Sequence, residues 1–404
     1  VKRALEIALG ILTSIGGYLD VGAIATAAQA GALFGFAHLW VIVFGTICVV
    51  ALLEMSGRLA AVSKHTLRAA MRERLGLNFF GWTTIVGLLV NVLVLASELG
   101  GIALALELVT GVGFRWWGAP TALFLWLVLW KGTFGAIERW VGLLGLVTVV
   151  FVVGAVKTAP PVSEVLAGFI PSAPGHDAGR YWFIAASILG AIISPYMFYF
   201  YSSGAVEGGW DESYLGVNRA VAGIGMGFGS IIAVGVLVVS AMVFQPRGIT
   251  MDSFEQAPLM LSVPMGRVGL WLFAASLFIT CFGAALESAL TVGYVLAQGL
   301  GWDWGESKRP RQAPRFALAY TTAIAVGVLP VLIGVNPLSL TVFTMALTAA
   351  TLPLVVVPFL VIMNDEHYLG GHRNGRLGNA LVLVVIFLAA VLAIVSIPLE
   401  IIGG

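Results

Sequence analysis

The chain has 404 residues, 59% of them hydrophobic and only 10% charged, with a mean hydropathy of +1.00. Soluble domains carry about a quarter charged residues, so this composition cannot cover a water-facing surface and requires apolar faces turned to lipid. A formal net charge of +1 says little by itself, since in such a chain the placement of charges matters.

The sequence opens on Val1-Lys2-Arg3 and an apolar run. That run continues through Gly16-Gly17 into 21–36 without a polar cleavage region, and it contains an acid. It therefore reads as a first membrane span and not as a signal peptide. Stretches long enough to cross a bilayer, about 20 residues for a helix, fall roughly at 5–31, 38–60, 80–110, 118–131, 140–157, 180–203, 217–245, 267–298, 315–333, 337–363 and 377–402. The expected fold is all-α and polytopic, because membrane strands would show short alternating segments instead. No linker or low-complexity block interrupts it, so residues 1–404 read as one transmembrane transport domain. Cys48 and Cys281 lie in apolar runs and read as small buried hydrophobes, without a disulfide or zinc framework.

Lys and Arg set the expected orientation. With the N-terminus cytoplasmic, only Arg115, Lys157, Arg180, Arg247 and Arg267 fall outside, and all the others, Arg68 among them, fall on inside segments. The C-terminus is then outside, and the membrane is a prokaryotic inner membrane.

Two spans are unusual. The first contains Ser14-Ile15-Gly16-Gly17-Tyr18-Leu19-Asp20-Val21-Gly22-Ala23, and the sixth contains Gly190-Ala191-Ile192-Ile193-Ser194-Pro195-Tyr196. Gly and Pro weaken helical hydrogen bonding, and the freed backbone groups need partners in protein or in a water-lined cavity. Interruptions five helices apart point to an inverted repeat, about 1–157 and 180–363, with an extra helix at 377–402 and a central site. Glu98, Glu107 and Glu287 also lie within spans, where a carboxylate is expensive enough to be a site candidate. Glu287 reads equally as an acid hydrogen-bonded across a helix interface, and Glu107 as a solvated vestibule acid. In the run 196–201, Tyr196 and Tyr199 could line the pathway, although packing explains such aromatics too. His65, His367 and His372 read as solvated loop groups. The basic loop Lys308-Arg309-Pro310-Arg311 suits anionic membrane lipid, and nothing points to nucleic acid.

These residues resemble the Nramp family, the natural-resistance-associated macrophage protein type of metal transporter, over nearly the whole chain. Asp20-Val21-Gly22-Ala23-Ile24-Ala25-Thr26 stands where the family has Asp-Pro-Gly-Asn-Ile-Ala-Thr. Ser97-Glu98-Leu99-Gly100-Gly101 is similar to its Ala-Glu-x-x-Gly, and the residues from Gly190 to Tyr196 stand at its Gly-Ala-x-x-Met-Pro-His. The resemblance implies a LeuT-like 5+5 inverted repeat of about eleven helices with helices 1 and 6 discontinuous. It also implies an ion held by Asp20 and the Ala191 carbonyl. The family's Asn position is Ala23, its Met position is Ser194, and its span-ten Gln falls at about Met345, beside Thr344. Replacing thioether sulfur by hydroxyl shifts preference toward hard ions, and magnesium is commonly bound through one carboxylate and several waters. The sequence is similar in this respect to the magnesium-type branch of Nramp relatives.

The family's span-six His positions are Tyr196 and Tyr201, and the Asp three before the span-three Glu is Leu95. A Tyr near pKa 10 makes a poor relay at neutral pH, so weak or absent proton coupling is expected, with Thr26, Glu98, Glu287, Tyr199 and Tyr201 as pathway or coupling candidates. The leading expectation is a transporter of a hard divalent cation, magnesium-like and also manganese, with no cofactor and no enzymatic activity. A small anion such as bicarbonate, attracted by the half-helix N-termini, and a small organic amine or amino acid stay open as alternatives.

Overall fold

The structure is a computed structural model that describes residues 19–131, 141–306 and 308–403. Ser14, Gly16 and Gly17 of the expected first span lie outside the described residues, as do Lys2, Arg3 and Arg139. Every expected span has a helix among the described residues. Seven are long and apolar enough to cross a membrane by themselves.

Helix α1 runs Val21–Phe34 and is N-capped by Asp20, whose Oδ1 accepts from the Ala23 amide at 2.7 Å. It ends at Gly35, where φ of 59° suits a residue without Cβ. Helix α2 is Leu39–Ser63. Helix α3, Leu67–Thr110, is longer than the expected span 80–110, because its chain continues through a break at Gly76 (φ 75°, ψ 168°). Helices α4 (Phe114–Trp130) and α5 (Val141–Lys157) follow. The sixth span is two helices, α6 (Ala178–Ile192) and α7 (Pro195–Glu207). Helix α8 is Met226–Phe244. Helix α9, Leu259–Leu300, begins before the expected 267 and is broken at Gly266. The span expected at 315–333 splits into α10 (Pro314–Gly327) and a short turn of helix at Leu329–Ile333. Helices α11 (Pro337–Met363) and α12 (Arg376–Gly403) complete the chain.

Packing follows the small residues. Helix α1 lies along α8, so close that a Cβ on Gly31 would stand 2.4 Å from the Leu237 carbonyl oxygen. There the Ser240 hydroxyl donates to the Ala28 carbonyl at 2.5 Å. Helix α3 packs along α9, and Gly101 makes room for the Cys281 sulfur. In the same way α6 lies on α11 and α7 on α2. Without a hydrophobic drive between helices in lipid, such close approach and cross-helix hydrogen bonds hold the bundle. Side chains such as Trp82, Trp116 and Phe387 stay exposed on its outside, as a lipid-facing surface requires.

Candidate transport site

The first half of the site is the start of α1. Its first amides have no intrahelical partner, and acids take them. Asp20 Oδ1 accepts from Ala23, and Glu98 Oε2, reaching from α3, accepts from the Val21 amide at 3.3 Å. The positive end of the helix dipole favours both carboxylates. Asp20 is 1% exposed, yet its Oδ2 has no hydrogen-bond partner, and neither does Glu98 Oε1. Ala23 is buried beside its cap. The Thr26 hydroxyl donates back to the Gly22 carbonyl at 2.8 Å, so its proton is used within the helix.

The second half is the gap between α6 and α7. Ile193 (φ −107°, ψ 55°) leaves the helix, and Pro195 restarts it after Ser194. The helical partner of the Ala191 carbonyl would be the amide of residue 195, which proline lacks. The Ser194 hydroxyl fills in, donating to Gly190 O at 3.0 Å and Ala191 O at 3.3 Å. Its oxygen lone pairs, and the second lone pair of each carbonyl, stay available to a cation.

Helix α11 joins the two halves. A Cβ on Gly190 would lie 1.8 Å from the Met345 carbonyl oxygen, and one on Gly22 would lie 2.6 Å from the Met345 sulfur. Met345 therefore touches both broken spans, and its thioether rests against the first turn of α1. The neighbouring Thr344 Oγ1 is buried without a hydrogen-bond partner. Asp20 and Glu287 act electrostatically on Glu98, and all three act on Tyr196, so the acids of α1, α3 and α9 surround one place. The Cys281 thiol is part of it, hydrogen-bonded to Glu98.

Below Tyr196 a narrow cleft, with a volume of only about 20 Å³, lies between α3, α7, α9 and α11, lined among others by Arg68, Thr83, Asn91, Tyr199, Thr291 and Thr351. Tyr199 belongs to it, under the Arg68 guanidinium. Arg68, on an inside segment in the Lys and Arg count, is 1% exposed, because α3 starts at Leu67 and the Gly76 break folds Arg68 back onto Thr83 and Thr84. Two other candidates stand apart. The Glu107 carboxylate accepts from the Phe114 amide at 3.0 Å and so caps α4. The Tyr201 hydroxyl donates to Asn218 Oδ1 at 2.9 Å. Tyr201→Phe is expected to cost about 1 kcal/mol of stability while leaving the pH profile of transport unchanged. A displaced profile in a liposome flux assay would return Tyr201 to the pathway.

Comparison with known proteins bears on the family and the fold. The model of the family described as natural resistance-associated macrophage protein-like matches residues 10–398. The divalent metal cation transporter MntH of Xanthomonas campestris is 30% identical over 341 residues, 80% of this chain and 73% of that protein. The MntH of Yersinia enterocolitica is 27% identical over 397 residues, 94% of this chain and 92% of that protein. A solved manganese transporter of Eremococcus coleocola shares the fold with a TM-score of 0.81 at 19% identity, covering 98% of this chain and 87% of that one. MhsT in complex with L-phenylalanine gives 0.60 at 13% identity, over 96% and 97% of the two chains. The architecture is thus the LeuT-like one, in a multi-pass membrane protein. With nearly its whole length matched by the family model, the chain belongs to the natural resistance-associated macrophage protein-like family.

Proposed function

We propose that the protein carries divalent metal cations through the gap between α1 and the α6–α7 break, with magnesium as the hard, partly hydrated ion preferred and manganese as a second substrate. Its relatives named above are metal transporters and not enzymes. The observation that carries the reading is the Asp20 carboxylate, buried with one oxygen lacking any hydrogen-bond partner. A buried charge is tolerated when it is paired, and a cation arriving at Oδ2 supplies the pair. The ligands added in this reading are the Ala191 carbonyl and the Ser194 hydroxyl of the α6–α7 gap and Thr344 Oγ1 of α11, all hard oxygens suited to magnesium. The Met345 sulfur adds one soft atom from α11, which supports manganese as well.

Coupling to protons is weak or absent in this reading, since Tyr196, Tyr201 and Leu95 stand at the positions where the family resemblance has titratable His and Asp. The two repeats are about 1–157 and 180–363, supported by the exchanged pairing of α1 with α8 and α7 with α2. The N-terminus lies in the cytoplasm and the C-terminus outside the inner membrane, following the Lys and Arg bias. One observation favours a second reading, transport of a small anion such as bicarbonate: among the described residues lining the cleft below the site there is an arginine and no acid.

Purified protein in liposomes, assayed in parallel for magnesium, manganese, calcium, bicarbonate and proton flux, decides between them. Magnesium and manganese uptake without proton entry is expected. Met345→Leu should lower manganese uptake by about tenfold relative to magnesium, the loss of one soft ligand being worth about 1.4 kcal/mol. Bicarbonate uptake without any divalent flux would replace the cation reading by the anion one.

A further inference from the structure

A groove on the lipid-facing outside of the bundle carries a charge at one end. It lies between α3, α9 and α10, has a volume of about 360 Å³, and is walled by Val92 of α3, Leu296 of α9 and Leu318, Thr322 and Val326 of α10. A space of this size lies in the range of ligand sites. Its α10 lip is open, with Leu318 66% and Val326 47% exposed. Arg315 lines the end formed by the first turn of α10. Residues Pro314–Ile333 are long and apolar enough to cross the membrane, so Arg315 sits at the membrane boundary. Its guanidinium lies over the Trp302 ring, 5.6 Å from the centroid, and makes no hydrogen bond or ion pair among the described residues. Asp303, next to Trp302 in the chain, is paired instead with Lys308 Nζ at 3.5 Å.

From Arg315 to Val326 the helix rises about 16 Å, roughly half of the ~30 Å hydrocarbon core of a bilayer. The groove therefore spans one leaflet, with a cation at its water end and apolar walls beyond. Tryptophan belongs at that boundary. Stacking on Trp302 holds the guanidinium in place and leaves its forked donors for a phosphate. We infer that this groove binds one anionic phospholipid, with an acyl chain lying along α10 and the phosphate on Arg315. Arg309 and Arg311, in the loop before α10, repel the ammonium of a zwitterionic head group, so net negative charge is selected. Recognition of the lipid is independent of which ion the protein carries.

Native mass spectrometry of delipidated protein, titrated with phosphatidylglycerol or with phosphatidylcholine of the same chains, tests this. The first phosphatidylglycerol should bind at least about fivefold more tightly than the first phosphatidylcholine. Arg315→Gln should abolish that preference, and Arg315→Lys, which keeps the charge but not the fork, should retain most of it. Thr322 is exposed on the groove wall, so Thr322→Trp fills the groove without touching any charge and should weaken both lipids alike. Glycerol phosphate, the head group without chains, should not displace the lipid. Equal affinity of the two lipids for the parent protein overturns the inference, leaving only ordinary boundary lipid. A preference that survives Arg315→Gln also overturns it, by placing recognition on the Lys308–Arg311 loop. So does a Thr322→Trp protein that binds both lipids as the parent does, or displacement by glycerol phosphate, which would mark a site for a free anion. The comparison of lipids and the Thr322→Trp variant leave residue 315 unchanged, so they decide even if Arg315→Gln fails to fold.

Discussion

Gly190→Ala is expected to be the most disruptive single methyl group that can be added to this site. Its Cβ would stand 1.8 Å from the Met345 carbonyl oxygen, 2.8 Å from the Met345 carbonyl carbon and 2.9 Å from the Ala349 amide nitrogen. All three are backbone atoms, so no rotamer change relieves the clash, and α6 and α11 must separate. Met345 cannot yield alone, because its side chain is already against Gly22 at the start of α1. Separation would therefore spread to the other broken span. Overpacking usually costs about 1–3 kcal/mol, and a backbone-to-backbone clash belongs at or above the top of that range. Thermal unfolding in detergent should show a lowered midpoint, with flux lost in the protein that survives. Gly204→Ala is the control. It adds a methyl to α7 where nothing lies within 4 Å, and should be neutral or slightly stabilising, since alanine is the better helix former by about 1 kcal/mol. Gly22→Ala meets only the flexible end of Met345 and should fall between the two. If Gly190→Ala unfolds at the temperature of the parent protein, the close contact of α6 with α11 is wrong.

The helices, the gap between α6 and α7 and the start of α1 after Asp20 were legible in the sequence because these signals are local. Twenty apolar residues must cross as a helix, and Gly or Pro within such a run must release backbone groups, whatever the rest of the chain does. Asp20 was legible for the same reason, as an acid in an apolar run. What stayed hidden depends on residues far apart in sequence. The resemblance puts Met345 at the site, but no local pattern shows its sulfur against Gly22 at the first turn of α1. Hydropathy alone places the start of this helix near 80, which leaves Arg68 on an inside segment before it. A better signal was available. Leu67, Ala70 and Met71 are buried and Glu73 and Arg74 exposed, a helical spacing that puts Arg68 on the buried face. For Glu107 and Tyr201 the sequence could not supply the partners either: the first accepts from the Phe114 amide at the start of α4, and the second donates to Asn218.

Asp20→Asn and Asp20→Ala together separate the two things this residue does. As an N-cap it accepts from the Ala23 amide, and as a charge it leaves Oδ2 without a hydrogen-bond partner in a buried place. Asparagine caps a helix about as well as aspartate does, so Asp20→Asn keeps the first role and removes only the second. Burying an uncompensated charge is unfavourable, so in the absence of divalent cation Asp20→Asn should unfold no earlier than the parent and should even gain stability. Asp20→Ala loses the cap as well, at about 1 kcal/mol, partly offset by the same relief of the buried charge. Transport should respond differently. A divalent ion that forfeits the Asp20 carboxylate at the start of α1 loses several kcal/mol of attraction, and uptake of magnesium and manganese should fall by at least about a hundredfold in both variants. Adding divalent cation should also raise the unfolding midpoint of the parent, as a ligand bound to the folded state must, and do so in neither variant. Stability and flux would thus move in opposite directions for Asp20→Asn. If flux survives in that variant, the neutral cap suffices and the cation is held elsewhere, with Glu98 and Glu287 the remaining acids at the site.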